Sequence, residues 1–219
     1  MNFERMNFEG DPNLGLYGFA TDKYVLTGMN SKKMLQKMEK VLKVKPLSTM
    51  MLNTNFAGIF CRGNSQGIVL SEIMKGHELP SLKKMFDKVL MLKTDYSAMG
   101  NLILMNDNGI IISPLIRTHA KEIRDFFSLP CEATSIARSQ IVGSLGLATN
   151  KGCLVHPRTT DSEKRKIKDV LGVDVDIGTV NFGSPFPSSG AMANSNGFIA
   201  SPESSGPELG RITEALGFI

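Results

Sequence analysis

A turn recurs along this chain at a nearly fixed interval, and the interval limits the fold more than any single motif does. The slot residues Tyr24, Gly67, Gly109, Gly152 and Gly197 lie 43, 42, 43 and 45 residues apart. A period of this size marks a solenoid, an array or a propeller, in which one supersecondary unit is copied and stacked. Nine residues before the slot, four copies carry a glycine, at Gly15, Gly58, Gly100 and Gly143, whereas the fifth has rearranged glycines at Gly183 and Gly190. Five residues after it, Pro114, Pro157 and Pro202 close three copies.

The clearest copy is Ser97 to Pro114, SAMGNLILMNDNGIIISP. Gly100 opens a short apolar run, Asn106 to Gly109 form a turn, and a β-branched run ends on proline. Asn-Gly between two apolar segments predicts a hairpin, because the tight turn that suits twisted strands needs positive φ, which Gly and Asn tolerate. The pattern returns at Gly58 to Ser71 and at Gly143 to Pro157.

A helix follows each hairpin, since apolar residues recur at helical spacing. The stripes are Leu35, Met38, Val41 and Leu42; Leu82, Met85, Phe86, Val89 and Leu90; Ile123, Phe126 and Phe127; Ile167, Val170 and Leu171; and Leu209, Ile212 and Leu216. Thr160 with Glu163, and Ser205 with Glu208, have the spacing of capping boxes. Short strand-like segments follow the first four helices, at Val44 to Leu47, Leu92 to Tyr96, Cys131 to Thr134 and Val173 to Ile177.

The expected fold class is α+β. Five strand-strand-helix-strand repeats, at about 8–50, 51–96, 97–136, 137–180 and 181–219, form one domain with no linker between them. A single unit cannot bury both its helix stripe and its sheet, so the five are expected to close into a ring with the helices outside. The segments Ile73 to Glu78 and Ser184 to Gly190 read as surface loops.

Composition narrows the class further. At 219 residues the chain can bury roughly 70% of the surface that it exposes when unfolded. Its net charge of +4 permits contact with an acidic surface without marking a dedicated nucleic-acid arm. Cys61, Cys131 and Cys153 are an odd set without CxxC spacing, which points to neither disulfides nor zinc and to a reducing, cytoplasmic location. No run approaches the ~20 apolar residues of a membrane span. MNFE occurs at Met1 and again at Met6, so translation starting at Met6 is a further expectation.

Together, SAMGN at Ser97 to Asn101, VGS at Val142 to Ser144, NKGCLVHPRT at Asn150 to Thr159 and GTVNFGS at Gly178 to Ser184 make the chain resemble the translation initiation factor 6 family. The likeness runs over the whole chain, and the stop at Ile219 resembles archaeal members. It implies the pentein β/α-propeller fold. It further implies a monomer without cofactor, metal or catalytic residues, which binds the large ribosomal subunit beside the sarcin-ricin loop and blocks joining of the small subunit. Its partner there would be a ribosomal protein, with ribosomal RNA at the rim, and a part in large-subunit biogenesis goes with that role. Carried over residue by residue, the family's contact positions fall on Ile59, Asn64, Asn101, Leu145 and Phe186, expected near the start of the first hairpin strand and around one end of the pseudo-axis. Eukaryotic members have a basic residue in place of Ile59 and an aromatic one in place of Leu145.

The same fold class houses guanidino-modifying enzymes, which use a nucleophilic Cys, a His and acidic residues, so catalysis is the rival reading. Cys61 and Cys153 read as packing residues in hairpin strands, and Cys131 as a strand start. His156 reads as a loop-bonding residue, His119 as a helix start and His77 as an exposed loop residue. Asn150 reads as turn chemistry. Asn101 lies outside the turn and reads as a contact residue. Lys32, Lys33, Lys37, Lys40, Lys43 and Lys45 read as a solvated helix face rather than an RNA-binding patch. The recurring glycines match no phosphate-binding loop and read as turn residues.

Overall fold

Five three-stranded sheets recur in a computed structural model of the chain that describes residues 2–74, 76 and 78–219. His77 lies outside the described residues, as do Met1 and Lys75.

Strand β1 is Phe3–Arg5. The first repeat then contributes β2 (Gly18–Ala20), β3 (Tyr24–Thr27), helix α1 (Lys32–Leu42) and β4 (Lys45–Ser48). The second has a one-turn helix α2 (Ala57–Phe60), β5 (Arg62–Asn64), β6 (Gly67–Ser71), α3 (Glu78–Met85) and β7 (Val89–Leu92). The third has α4 (Met99–Leu102), β8 (Ile103–Met105), β9 (Ile110–Ile112), α5 (Ala120–Phe127) and β10 (Cys131–Ala133). The fourth has β11 (Gly146–Ala148), β12 (Gly152–Val155), α6 (Asp161–Leu171) and β13 (Asp174–Ile177). The fifth has α7 (Pro187–Gly190), β14 (Ala191–Asn194), β15 (Gly197–Ala200) and α8 (Gly206–Ala215).

In every sheet the second hairpin strand is central, antiparallel to the first and parallel to the third. The fifth sheet takes its third strand from the opposite end of the chain, because β1 pairs in parallel with β15. Phe3 and Glu4 of the first MNFE thus belong to an edge strand. Phe3 stacks on Phe198 at 5.1 Å, and Lys37 of α1 holds Glu4 at 2.7 Å.

The apolar core is divided among the repeats. Five clusters of buried side chains each join two repeats: Phe19, Tyr24 and Leu26 pack with Ile68 and Leu82, for example, and Met192 and Ile199 of the fifth repeat pack with Leu14, Met38 and Leu42 of the first. The helix stripes supply these contacts. Met38, Leu42, Ile123, Phe127, Ile167, Leu171 and Ile212 are all fully buried, and each such side chain contributes about 1.5–3 kcal/mol of transfer free energy. Both expected capping boxes form, with Thr160 accepting from Glu163 N–H at 3.3 Å and Ser205 from Glu208 N–H at 3.4 Å.

Two sequence expectations are corrected. Val89 and Leu90, whose spacing continues the helical stripe, belong to β7 and not to the preceding helix; the helix ends at Met85, and alternating burial along Val89–Leu92 fits a strand against β6. Ser184 to Gly190 is no surface loop, since Pro187, Ser188 and Gly190 are buried in α7. In Ile73 to Glu78, expected as a surface loop, Ile73 and Gly76 are exposed while Met74 is buried, and Lys75 and His77 lie outside the described residues.

The recurring glycines serve close approach rather than turns. Gly15, Gly58, Gly100 and Gly143 all have negative φ. A methyl group on each would overlap a carbonyl oxygen of a neighbouring repeat: Ser188 for Gly15, Gly15 for Gly58, Gly58 for Gly100 and Gly100 for Gly143. Backbone cannot retreat from such a clash as a flexible side chain can. Gly100→Ala should therefore cost at least about 2 kcal/mol in chemical denaturation, whereas Gly206→Ala, with open space around it, should leave stability unchanged or slightly raised.

Candidate functional site

The five first-hairpin strands have two ends, and the chemistry of the ends differs. At the turn end, each hairpin opens its turn with Asn or Thr. The side-chain oxygens of Thr21, Asn64, Asn106, Thr149 and Asn194 accept backbone N–H groups two or three residues on, at 2.9–3.3 Å. These bonds build the turns without positive φ: no residue from Asn106 to Gly109 adopts it, contrary to the Asn-Gly expectation.

The same turns are tied to one another. Asn64 Nδ2 donates to Asn106 O at 3.1 Å, Asn106 Nδ2 to Thr149 O at 3.0 Å, and Asn194 Nδ2 to Thr21 O at 2.9 Å. Asn150 Nδ2 donates to the carboxylates of Asp22 and Asp107, both at 2.7 Å, and these also accept from Ser195 and Ser65. Asn150 therefore does more than its own turn requires, and the turn end is satisfied from within.

The helical end, where the first strands start, holds most of the expected contact residues. Ile59 lies in α2 and Asn101 in α4, both half-buried, with Asn101 Oδ1 accepting from Ser144 Oγ at 3.0 Å. Phe186 caps α7 and is 38% exposed, its ring 6.5 Å from that of His156. Leu145 reaches this end but is buried. Asn64 does not reach it. As the last residue of β5 it sits at the turn end, buried, with its amide spent on Asn106. The expectation that all five share one end is thus corrected for Asn64.

A set of tight turns at the helical end is not predicted by the sequence pattern. Paired positive φ values occur at Glu9 and Gly10, Leu52 and Asn53, Ala137 and Arg138, and Asn181 and Phe182. Glycine is mostly absent from them, so nothing local announced them. In three repeats a glutamate in the first turn of the next long helix holds the turn: Glu78 accepts from Leu52 N–H at 2.9 Å, Glu163 from Arg138 N–H at 3.5 Å, and Glu208 from Phe182 and Gly183 N–H at 3.2 and 2.8 Å. A bulky residue at positive φ is uncommon and strained. Phe182 pays that cost while 80% exposed, so its ring is presented outward. Met50, Tyr96 and Phe186 are exposed as well.

Burial would raise the Glu208 carboxyl, yet Ser205 and Gly183 N–H and the Thr179 and Ser205 hydroxyls hold it below its ordinary range. His156 is lowered by burial and by Arg158, and its Nδ1 accepts from Arg158 N–H at 2.9 Å, as a loop-bonding residue should. His119 stands at the start of α5. Burial raises all three thiols, Cys131 to about 11 and Cys153 to about 12, so none is poised as a thiolate nucleophile. The lysines of α1 are largely exposed, as a solvated face would be.

A model of the eIF-6 family matches residues 3–215. Translation initiation factor 6 of Pyrococcus horikoshii is 38% identical over 228 residues, covering 100% of both chains. The proteins of the same name from Thermococcus onnurineus and Methanoculleus marisnigri are 37% and 35% identical, covering 100% and 98% of each chain.

Glu208→Gln should lower stability by about 1–2 kcal/mol at pH 7, because an amide cannot accept from all of these donors. A depressed carboxyl stabilises above its unfolded pKa, so this difference from wild type should be full above about pH 4.5 and fade as the pH falls through the folded value. Thermal unfolding as a function of pH reads both.

Proposed function

Because this chain belongs to the eIF-6 family, we propose that it docks through its helical end onto the large ribosomal subunit and keeps the small subunit from joining. The observation that carries this reading is the contrast between the ends. The turn end spends its polar groups on itself, whereas the helical end exposes Phe182, Phe186, Met50 and Tyr96 among amide and hydroxyl groups. A few aromatic anchors with a polar surround are what a protein interface uses.

In this reading Ile59, Asn101 and Phe186 touch the ribosomal protein beside the sarcin-ricin loop, and Phe182 joins them. Leu145 supports the face from beneath, and Asn64 secures the turns at the far end. The exposed Arg138 and Arg158 meet ribosomal RNA at the rim. The five sheets are read as the blades of one closed β/α-propeller domain, because a core cluster joins the fifth repeat to the first as the others join successive repeats. Closure would bring the short helices together as one rigid face, and obstruction would need no catalysis. A cytoplasmic monomer suits that task. Among the described residues no helix is long and apolar enough to cross a membrane.

Purified protein should co-sediment with large subunits in a sucrose gradient at physiological salt and reduce the joined-ribosome peak; absence of binding contradicts the reading. Asn101→Ser, Phe182→Ala and Phe186→Ala should each weaken binding by about tenfold. Their thermal stability should stay within about 1 kcal/mol of wild type.

A further inference from the structure

Charge is spread unevenly along this chain. Residues Lys23 to Lys45 hold seven lysines against one carboxylate, Glu39, although the net charge of the whole chain is only +4. Most of these lysines lie on α1. Lys32, Gln36, Lys40 and Lys43 follow one another at helical steps along one face, with Lys33 beside them, while the opposite face buries Met38 and Leu42. Lys37 holds Glu4, but the side chains of Lys32, Lys33, Lys40, Lys43 and Lys45 meet no carboxylate or other polar partner among the described residues. A solvated face elsewhere in the chain differs: on α6, Lys164, Lys166 and Lys168 are paired with Asp161, Glu132 and Asp174.

This concentration of charge runs against the preferences of the helix. Lys32 and Lys33 stand in the first turn of α1, at the positive end of the helix dipole, with no acidic residue there and no side-chain cap bond from Ser31. Helices α6 and α8 begin instead on capping boxes with acidic first turns. Lys43 ends α1 at φ 54°, a conformation that glycine adopts more easily and that Gly172 supplies at the end of α6. None of these three lysines suits its place in the helix, so what they supply is charge.

Strand register fixes where the strip lies. Lys45 pairs with Tyr24 at the turn end, and Asn194 Nδ2 reaches Leu42 O there, so Lys32 and Lys33 lie toward the helical end and Lys40, Lys43 and Lys45 toward the turn end. Its 11 residues make α1 about 16 Å long, a span over which a nucleic-acid duplex presents several phosphates. Between Lys23 and Lys45 there is no arginine and no exposed aromatic ring, so the strip can neither fork onto a carboxylate or a base edge nor stack on a base. Lysine tips act toward phosphate as point charges. We propose that the outer face of α1, with Lys45, is a sequence-independent docking surface for the phosphodiester backbone of duplex RNA. The choice of RNA rests on the docking reading above, in which the helical end faces the large subunit and a ribosomal RNA duplex beside that face meets the strip. The lysine stems keep the phosphates away from the helix backbone, whose amides stay bonded within α1, so salt dependence and not amide exchange is the readout.

Fluorescence anisotropy with an RNA duplex of arbitrary sequence and about 20 base pairs tests this across a salt series. Two variants of equal net charge are compared with wild type. One combines Lys32→Gln, Lys33→Gln, Lys40→Gln and Lys43→Gln; the other combines Lys121→Gln, Lys164→Gln, Lys166→Gln and Lys168→Gln, which removes paired lysines from other helices. The first should bind at least about tenfold more weakly than wild type, with a plot of log K against log salt shallower by about three, and the second should follow wild type. No binding by wild type at about 0.05 M salt, or equal losses in the two variants, overturns the proposal. Binding of poly-glutamate in place of the duplex, lost in the first variant alone, also overturns it in favour of an acidic protein. On large subunits the first variant should release at lower salt than wild type and the second. If all three dock and release together, the grip on RNA fails while the docking reading stands; if wild type does not co-sediment at all, the docking reading fails and the duplex measurement still decides the role of α1.

Discussion

Backbone approach between repeats is the constraint on which the rest depends. Gly15, Gly58 and Gly100 each bring a neighbour's carbonyl oxygen so near that no side chain fits, and Gly143 repeats the contact against Gly100. This closeness crowds the starts of the first hairpin strands together and leaves room there for one-turn helices such as α2, α4 and α7. Apolar side chains then fill the wider spaces between repeats, where the long helices bury their stripes. Packing and backbone contact act at different places along each repeat, and each makes the other possible.

The two strand ends inherit different tasks from this arrangement. At the turn end, Asn and Thr side chains close the turns, and Asn150, Asp22 and Asp107 link them, so buried polar groups find partners without help from outside. At the helical end, Glu78, Glu163 and Glu208 instead spend carboxylates on strained turns. That expenditure makes sense if the turns must be held still in a presented shape. Phe182, exposed at positive φ and held by Glu208 through its own N–H and that of Gly183, is the clearest instance. Backbone fixed in its bound shape loses little conformational entropy on binding.

Much of this fold was legible in the sequence, because the repeat multiplies weak signals. Hairpins, helix stripes and both capping boxes follow from spacing that local physics enforces. The parts that escaped depend on non-local partners. Phe3–Arg5 is too short to announce a strand and becomes one only against β15. The glycines looked like turn residues because their neighbours across repeats are invisible in one dimension. Asn64 and Leu145 occupy similar stretches to Asn101 in the sequence, yet Asn64 is buried because it ends β5 at the turn end, and Leu145, at the same end as Asn101, is buried because it packs into a core cluster. The positive-φ pairs at Leu52–Asn53 and Ala137–Arg138 lack glycine; reciprocal backbone bonds between Met51 and Thr54 and between Ile136 and Ser139 close them, and the helix-borne glutamates add a further acceptor.

Whether the helical end is the docking face is tested most directly by amide hydrogen exchange of the chain, free and bound to large ribosomal subunits. The account predicts slowed exchange on binding at residues 50–54, 99–102, 136–139 and 181–189, with the turns at 21–24, 64–67, 106–109, 149–152 and 194–197 unchanged. Protection concentrated in those turns, or on the exposed faces of the long helices, would contradict it.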